Sequence, residues 1–192
     1  MRKTNTHNQE GFTLIEIIIT MAIFVTALTS VSAIFVFSNK TQRVTQATQK
    51  TQADARFAIE VMAQQIRRGS IDYDSTEYNG IIVDNPQDVL VLRDINDNQI
   101  WFKKKDFSGR YAVAMSETGL DGSWVDLTPP DISVDILKFY LSPSTDTFAD
   151  NPTTNSQPLV TIVLRTSNNS TEGASLFPIY LQTTVSSRQY TR

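Results

Sequence analysis

The chain predicts an α+β arrangement: a long N-terminal helix, first transmembrane and then amphipathic, packed on a C-terminal antiparallel β-sheet domain. Three observations carry this. Residues 11–37 are almost wholly apolar, and their only formal charge is Glu16. No proline precedes Pro86 and no glycine lies between Gly11 and Gly69, so nothing interrupts a helix over that interval. After Gly69 the apolar residues come instead in short runs separated by turn residues. A helix followed only by strands is the α+β pattern.

The first element is the apolar run. About 20 apolar residues cross a bilayer core, so residues 12–38 suffice with room for tilt. Small residues recur within it, at Ala22, Thr26, Ala27, Thr29, Ser30, Ser32 and Ala33, and they permit close helix–helix approach. The helix is expected to change character after Ser38. Residues 39–70 are polar, with Val44, Ala47, Ala55, Ala58, Ile59, Met62 and Ile66 at helical spacing. That stripe is weak between Ala47 and Ala55 and firm from Ala55 onward. Gly69 is a natural stop.

Residues 71–192 are expected to form the β-rich globular part. The strand candidates are "GIIVD" (80–84), "DVLVLRD" (88–94), "QIWFKKK" (99–105), "RYAVAM" (110–115), the weaker "SWVDL" (123–127), "DISVDILKFYLS" (131–142), "PLVTIVLRT" (158–166) and "SLFPIYLQTTVSSR" (175–188). Ile132, Val134 and Ile136 alternate, and Pro178 favours an edge or a bulge for the last strand. Residues 141–158 read as a long connection and residues 167–173 as a hairpin tip, where Asn168 and Asn169 fit the inexpensive glycosylation pattern.

Composition excludes several chemistries. The 192 residues contain no cysteine, so disulfides and thiolate metal sites are ruled out. The single histidine is His7, before the apolar run. "DINDN" (94–98) resembles the opening of an EF-hand loop, but Gln99 stands where that loop needs glycine and Lys105 where it needs glutamate. A hairpin turn is the better reading. Asp72 and Asp74 read as a solvated turn. No nucleophile elbow, phosphate loop or triad pattern occurs, so neither enzymatic activity, a metal nor a cofactor is expected. "WFKKK" (101–105) has a basic-aromatic flavour, but the net charge of −3 argues against a nucleic-acid partner.

Glu16 separates three readings of the N-terminus. A secretory signal would explain Arg2 and Lys3, and Val31-Ser32-Ala33 would serve as its cleavage site. However, the run is longer than a signal core, and an early carboxylate is foreign to one. A plain membrane anchor leaves Glu16 an accident. Lys40, Arg43 and Lys50 after the span then outweigh Arg2 and Lys3 before it. The third reading rests on "GFTLIE" (11–16), which resembles the processing site of type IV prepilins and pseudopilins. That resemblance is strong over residues 1–40.

The resemblance implies a leader peptide at 1–11, cleavage between Gly11 and Phe12 by a prepilin peptidase, and N-methylation of Phe12. It also implies a single-pass protein of the cytoplasmic (inner) membrane with an extracytoplasmic pilin-like domain, later drawn into a filament of other pilin or pseudopilin subunits. It gives Glu16 a purpose. A charge at membrane depth costs a few kcal/mol without a partner. Cleavage would create an α-ammonium on Phe12, cationic at neutral pH, and low dielectric strengthens such a pair. The amine would come from a neighbouring subunit, or from the same chain, since Phe12 and Glu16 are four residues apart. Many pilins carry a proline in the membrane half of the helix, whereas this chain has none there. That fits minor pilins and pseudopilins at least as well as a major pilin. "QADARFAIEVMAQQIRRGS" (52–70) and "LQTTVSSRQY" (181–190) loosely resemble the larger minor pilins and J-type minor pseudopilins. The competing expectation is a membrane-anchored extracytoplasmic binding domain that never polymerises.

Overall fold

The computed structural model describes residues 11–78, 82, 85–147, 156–168 and 178–187. The chain divides into two compact units, 1–43 and 44–192. One helix, α1 (Leu14–Arg68), contributes to both.

In the first unit the helix begins two residues later than Phe12, because Thr13 caps it. The Glu16 backbone N–H donates to Thr13 Oγ1 at 3.3 Å and to the Thr13 carbonyl at 3.1 Å. Every residue from 11 to 36 is exposed within the chain. The hydroxyls inside the apolar run are satisfied locally. Thr20, Thr26, Thr29 and Ser30 donate to the carbonyls of Glu16, Ala22, Val25 and Thr26 at 2.9–3.1 Å. The run thus presents an apolar surface with no unmet hydroxyl donor among those four, as a bilayer requires. Among the described residues α1 is the one helix long and apolar enough to cross a membrane.

In the second unit α1 buries Thr51, Ala55, Ala58, Met62, Ala63 and Ile66. The face is built largely of small side chains, which let the helix axis approach the sheets closely. Val44 and Ala47 are half-buried, matching the weak start of the stripe. Two antiparallel sheets follow. The first runs β1 (Ser70–Ile71), β2 (Val89–Arg93), β3 (Gln99–Asp106), β4 (Tyr111–Ser116) and β5 (Val125–Asp126), in that order; the second runs β6 (Ile132–Ser142), β7 (Leu159–Asn168) and β8 (Ile179–Ser186). Val91 pairs with Trp101, and Phe139 with Ile162. One hydrophobic core joins Ala58, Met62 and Ile66 to Leu90, Phe102, Phe139 and Ile162.

The division into two sheets is not visible in the strand pattern. "SWVDL" yields a strand of two residues, and Pro129 and Pro130 follow it without N–H donors, so the first sheet ends there. A second difference lies in β6. Its register slips between Val134 and Ile136, and the buried set continues as Leu137, Phe139 and Leu141. The bulge shifts the alternation by one, which leaves Ile136 half-buried rather than third in the row. β8 begins just after Pro178 and ends its sheet among the described strands. The candidate strand 80–84 lies outside the described residues except for Ile82 and so goes undescribed, as does most of 167–173.

Gly69 follows the helix for a reason other than a left-handed turn. A Cβ there would stand 2.7 Å from the Arg93 carbonyl oxygen on β2 and 3.2 Å from that of Gln65. Its own carbonyl accepts the Ser187 hydroxyl at 2.6 Å. The helix end is thus seated between β2 and the residue after β8.

Asp72 is not a solvated turn residue. It is 3 % exposed, accepts Arg93 Nη2 at 2.9 Å and Gln99 Nε2 at 2.6 Å, and Arg93 reaches Asp97 with its other nitrogen at 2.9 Å. The two carboxylates raise the guanidinium pKa above its ordinary value, with the Asp72 hydrogen bond the largest cause. Asp74 is exposed, as expected. Arg93→Met would leave Asp72 buried without its counter-ion. We expect a loss of about 3 kcal/mol, read as a lowered midpoint in thermal denaturation of the full chain in detergent. An unchanged midpoint would show that Gln99 and the backbone suffice.

Lys50 Nζ meets Asp131 at 2.5 Å, which ties α1 to the start of β6. The hydrogen bond to Lys50 is the main cause of the lowered Asp131 pKa, and the same bond raises Lys50. A depressed carboxylate contributes stability above its unfolded pKa and loses it as pH falls through the folded one. The native chain should therefore melt above Asp131→Asn at neutral pH, and the gap should close below about pH 4. A constant gap across that range would show that the pair contributes through packing alone.

Candidate functional site

The residues that the sequence singles out, Gly11, Phe12 and Glu16, lie at the start of α1. Gly11, Phe12 and Thr13 precede the helix and are exposed. No atom of the described residues lies within 4 Å of a Cβ built on Gly11, and Phe12 is 79 % exposed. The peptide bond between Gly11 and Phe12 thus sits in exposed, non-helical backbone.

Glu16 occupies the third helical position. Its carboxylate makes no hydrogen bond or ion pair among the described residues. The local pattern is richer than the sequence reading recognised. Thr13-x-x-Glu16 is the spacing of a capping box, and Phe12 and Ile17 stand at the two positions of a hydrophobic staple. Half of the box is formed, by the Thr13 hydroxyl. A carboxylate in the first helical turn also faces the positive end of the helix dipole, which offsets roughly 0.3–1 kcal/mol of its cost. Phe12 lies outside the helix, so the i, i+4 pairing within one chain lacks a helical frame in this structure.

The other candidates sort by burial. "DINDN" forms the turn between β2 and β3. The Asp94 N–H donates to the Asn98 carbonyl at 2.9 Å, the Asp94 side chain accepts the Asn96 N–H, and Asp97 takes φ of 65°. Among the described residues no three carboxylates or histidines gather as metal ligands would. In "WFKKK" the aromatics and the lysines part company. Trp101 and Phe102 are buried, and the lysine ammoniums lie over other rings. His7 lies outside the described residues.

Residues 6–32 match the family model described as the prokaryotic N-terminal methylation motif, which is typical of type IV pilins and pseudopilins. The match spans Gly11, Phe12 and Glu16 together with most of the apolar run, as far as Ser32. The chain therefore carries that motif on an α+β, pilin-like architecture, and it supports a processed, type IV pilin-like subunit. A single apolar helix under this motif fits a membrane-anchored pilin. No curated protein and no solved structure matches the chain.

Proposed function

We propose that this chain is a minor pilin or pseudopilin, a structural subunit of a type IV pilus, competence or type II secretion-like filament. A prepilin peptidase cuts after Gly11 and the new N-terminal Phe12 is methylated. The α-ammonium of one subunit then meets Glu16 of a neighbour, and the β domain supplies lateral contacts. Before assembly the chain is held in the cytoplasmic membrane with residues 71–192 outside.

The observation that carries this reading is the match of the methylation motif across residues 6–32, with an unpartnered Glu16 inside it. Both halves matter. The motif supports processing, and a carboxylate with no partner among the described residues of its own chain is in surplus until another molecule supplies a cation. The test is the intact mass and N-terminal sequence of the protein recovered from membranes. A chain beginning at methylated Phe12 is expected. A chain that retains Met1, or begins after Ala33, overturns the reading.

A further inference from the structure

A strand that ends a sheet presents a row of backbone donors and acceptors, and folded proteins blunt it by shortness, charge, a bulge or a cover. Among the described strands, three of the four sheet ends are blunted in this way. β1 and β5 are two residues each. β6 carries Asp135, Lys138 and the register slip after Val134, and Gln87 bridges to its Phe139 through backbone bonds of 2.7 and 2.9 Å. β8 has none of these devices. Its residues, Ile179–Ser186, include no charge, proline or glycine, and they pair with β7 throughout without a slip. No described strand takes its other edge.

The core also thins toward this strand. On β7 the inward residues Val160, Ile162, Leu164 and Thr166 are fully buried. Their partners on β8 include Thr183, Leu181 and Ile179, which are only half-buried. The outward residues of β8 are held from β7. The Arg165 guanidinium carbon lies 5.3 Å from the Tyr180 ring centroid, and the hydroxyls of Thr161 and Thr184 share a hydrogen bond of 2.8 Å. The edge is therefore preformed, which lowers the cost of binding along it, while its inner apolar side is short of cover.

We propose that β8 pairs antiparallel with β8 of a second copy of this chain, about a twofold axis through Gln182. Residues on one face must meet residues on the same face. This register sets Gln182 against its own counterpart, Tyr180 against Thr184, Leu181 against Thr183 and Ile179 against Val185. Aromatic and β-branched residues placed opposite one another stabilise such pairs. The lack of charge is what points to a second copy. In a strand that pairs with itself, a charge near the axis meets its own like and destabilises the pair. An uncharged strand escapes that penalty and offers nothing ionic for a different partner to read. The contact is isologous, so it uses both edges and closes at two copies. It joins two three-stranded sheets into one and sets a neighbour beside Ile179 and Leu181. It rests on the second unit alone and stands apart from the filament reading.

The test uses single cysteines in the full chain in detergent, which is clean because the native sequence has none. Residues directly opposite in an antiparallel pair have Cα atoms about 4.5–5.5 Å apart, within the range that a disulfide spans. Gln182→Cys should therefore form a disulfide-linked dimer under mild oxidation. Tyr180→Cys alone should not, since its counterpart lies about 13 Å away along the strands. Mixed with Thr184→Cys, it should give the mixed dimer. Gln182→Lys added to both members of that mixture sets two ammoniums on the axis and should lower the yield roughly fivefold, whereas Gln182→Thr should keep it. All these positions but the buried-side ones are exposed, and circular dichroism establishes that each variant is folded. Asp74→Cys, exposed and remote in sequence, reports chance collision and any pairing through the apolar run. A Gln182→Cys yield no higher than that of Asp74→Cys leaves the edge to some other strand and overturns the proposal. So does equal linking through Tyr180→Cys alone, or a mixed dimer indifferent to Gln182→Lys.

Discussion

Gly11→Val is expected to leave the chain uncut, with the processed species reduced on the order of a hundredfold, judged from what a protein pocket extracts from extra methylenes. The structure makes this a clean experiment. Gly11 is exposed, and an added Cβ meets no atom of the described residues within 4 Å. Valine therefore introduces no clash among the described residues, and Thr13 and α1 after it keep their cap and helix. On the proposed reading, any loss of the mature form then arises where the chain meets a prepilin peptidase. The readout is the ratio of uncut to cut protein in membranes, by mass. Normal processing of Gly11→Val would show that cleavage does not depend on this glycine, and the boundary would have to be sought elsewhere.

The second large effect belongs to Glu16. A carboxylate at membrane depth costs about 2.5–3.5 kcal/mol, and the helix dipole returns only about 0.3–1 of that. The remainder, about 2 kcal/mol, corresponds to roughly thirtyfold in an equilibrium constant. If a neighbour's α-ammonium relieves it, Glu16→Ala removes both the cost and the gain. The variant should accumulate in membranes at least as well as the native chain and be depleted at least tenfold from sheared filaments, an estimate on the same scale. Glu16→Gln should behave alike. Thr13→Ala is the discriminating control, because it removes the cap, worth about 1 kcal/mol, and leaves the carboxylate. Equal depletion in Thr13→Ala would mean that the helix start, rather than the charge, governs assembly. Filaments of normal composition with Glu16→Ala would favour the anchored binding domain that does not polymerise.

Much of this molecule is legible in linear order. The helix is written in what it lacks, since no proline or glycine breaks residues 12–68. Its buried face in the second unit follows the apolar spacing from Ala55 to Ile66. The strands at 89–93, 99–106 and 111–116 follow from local runs and turns, and "DINDN" makes its turn through side-chain bonds two residues away. Such features depend on neighbours within a few positions, which a sequence displays directly. The methylation motif is legible for the same reason. It is a contiguous motif, and its cap and staple pattern was there to be read in "FTLIEI".

What tertiary structure alone decided depends on residues far apart in the chain. Asp72 is buried because Arg93 and Gln99, on two other strands, converge on it. Gly69 is required because β2 passes within a Cβ radius, not because of its own dihedral angle. The bulge in β6 moves the core from Ile136 to Leu137, an event of strand pairing that alternation cannot foresee. The lysines of "WFKKK" find Trp124 and Tyr111 rather than the aromatics beside them, because Trp101 and Phe102 are buried in the core and the sheet brings the other two rings beneath the ammoniums. Local composition set the helix, the strands and the processing motif. Long-range packing set which charges were paired within the described residues.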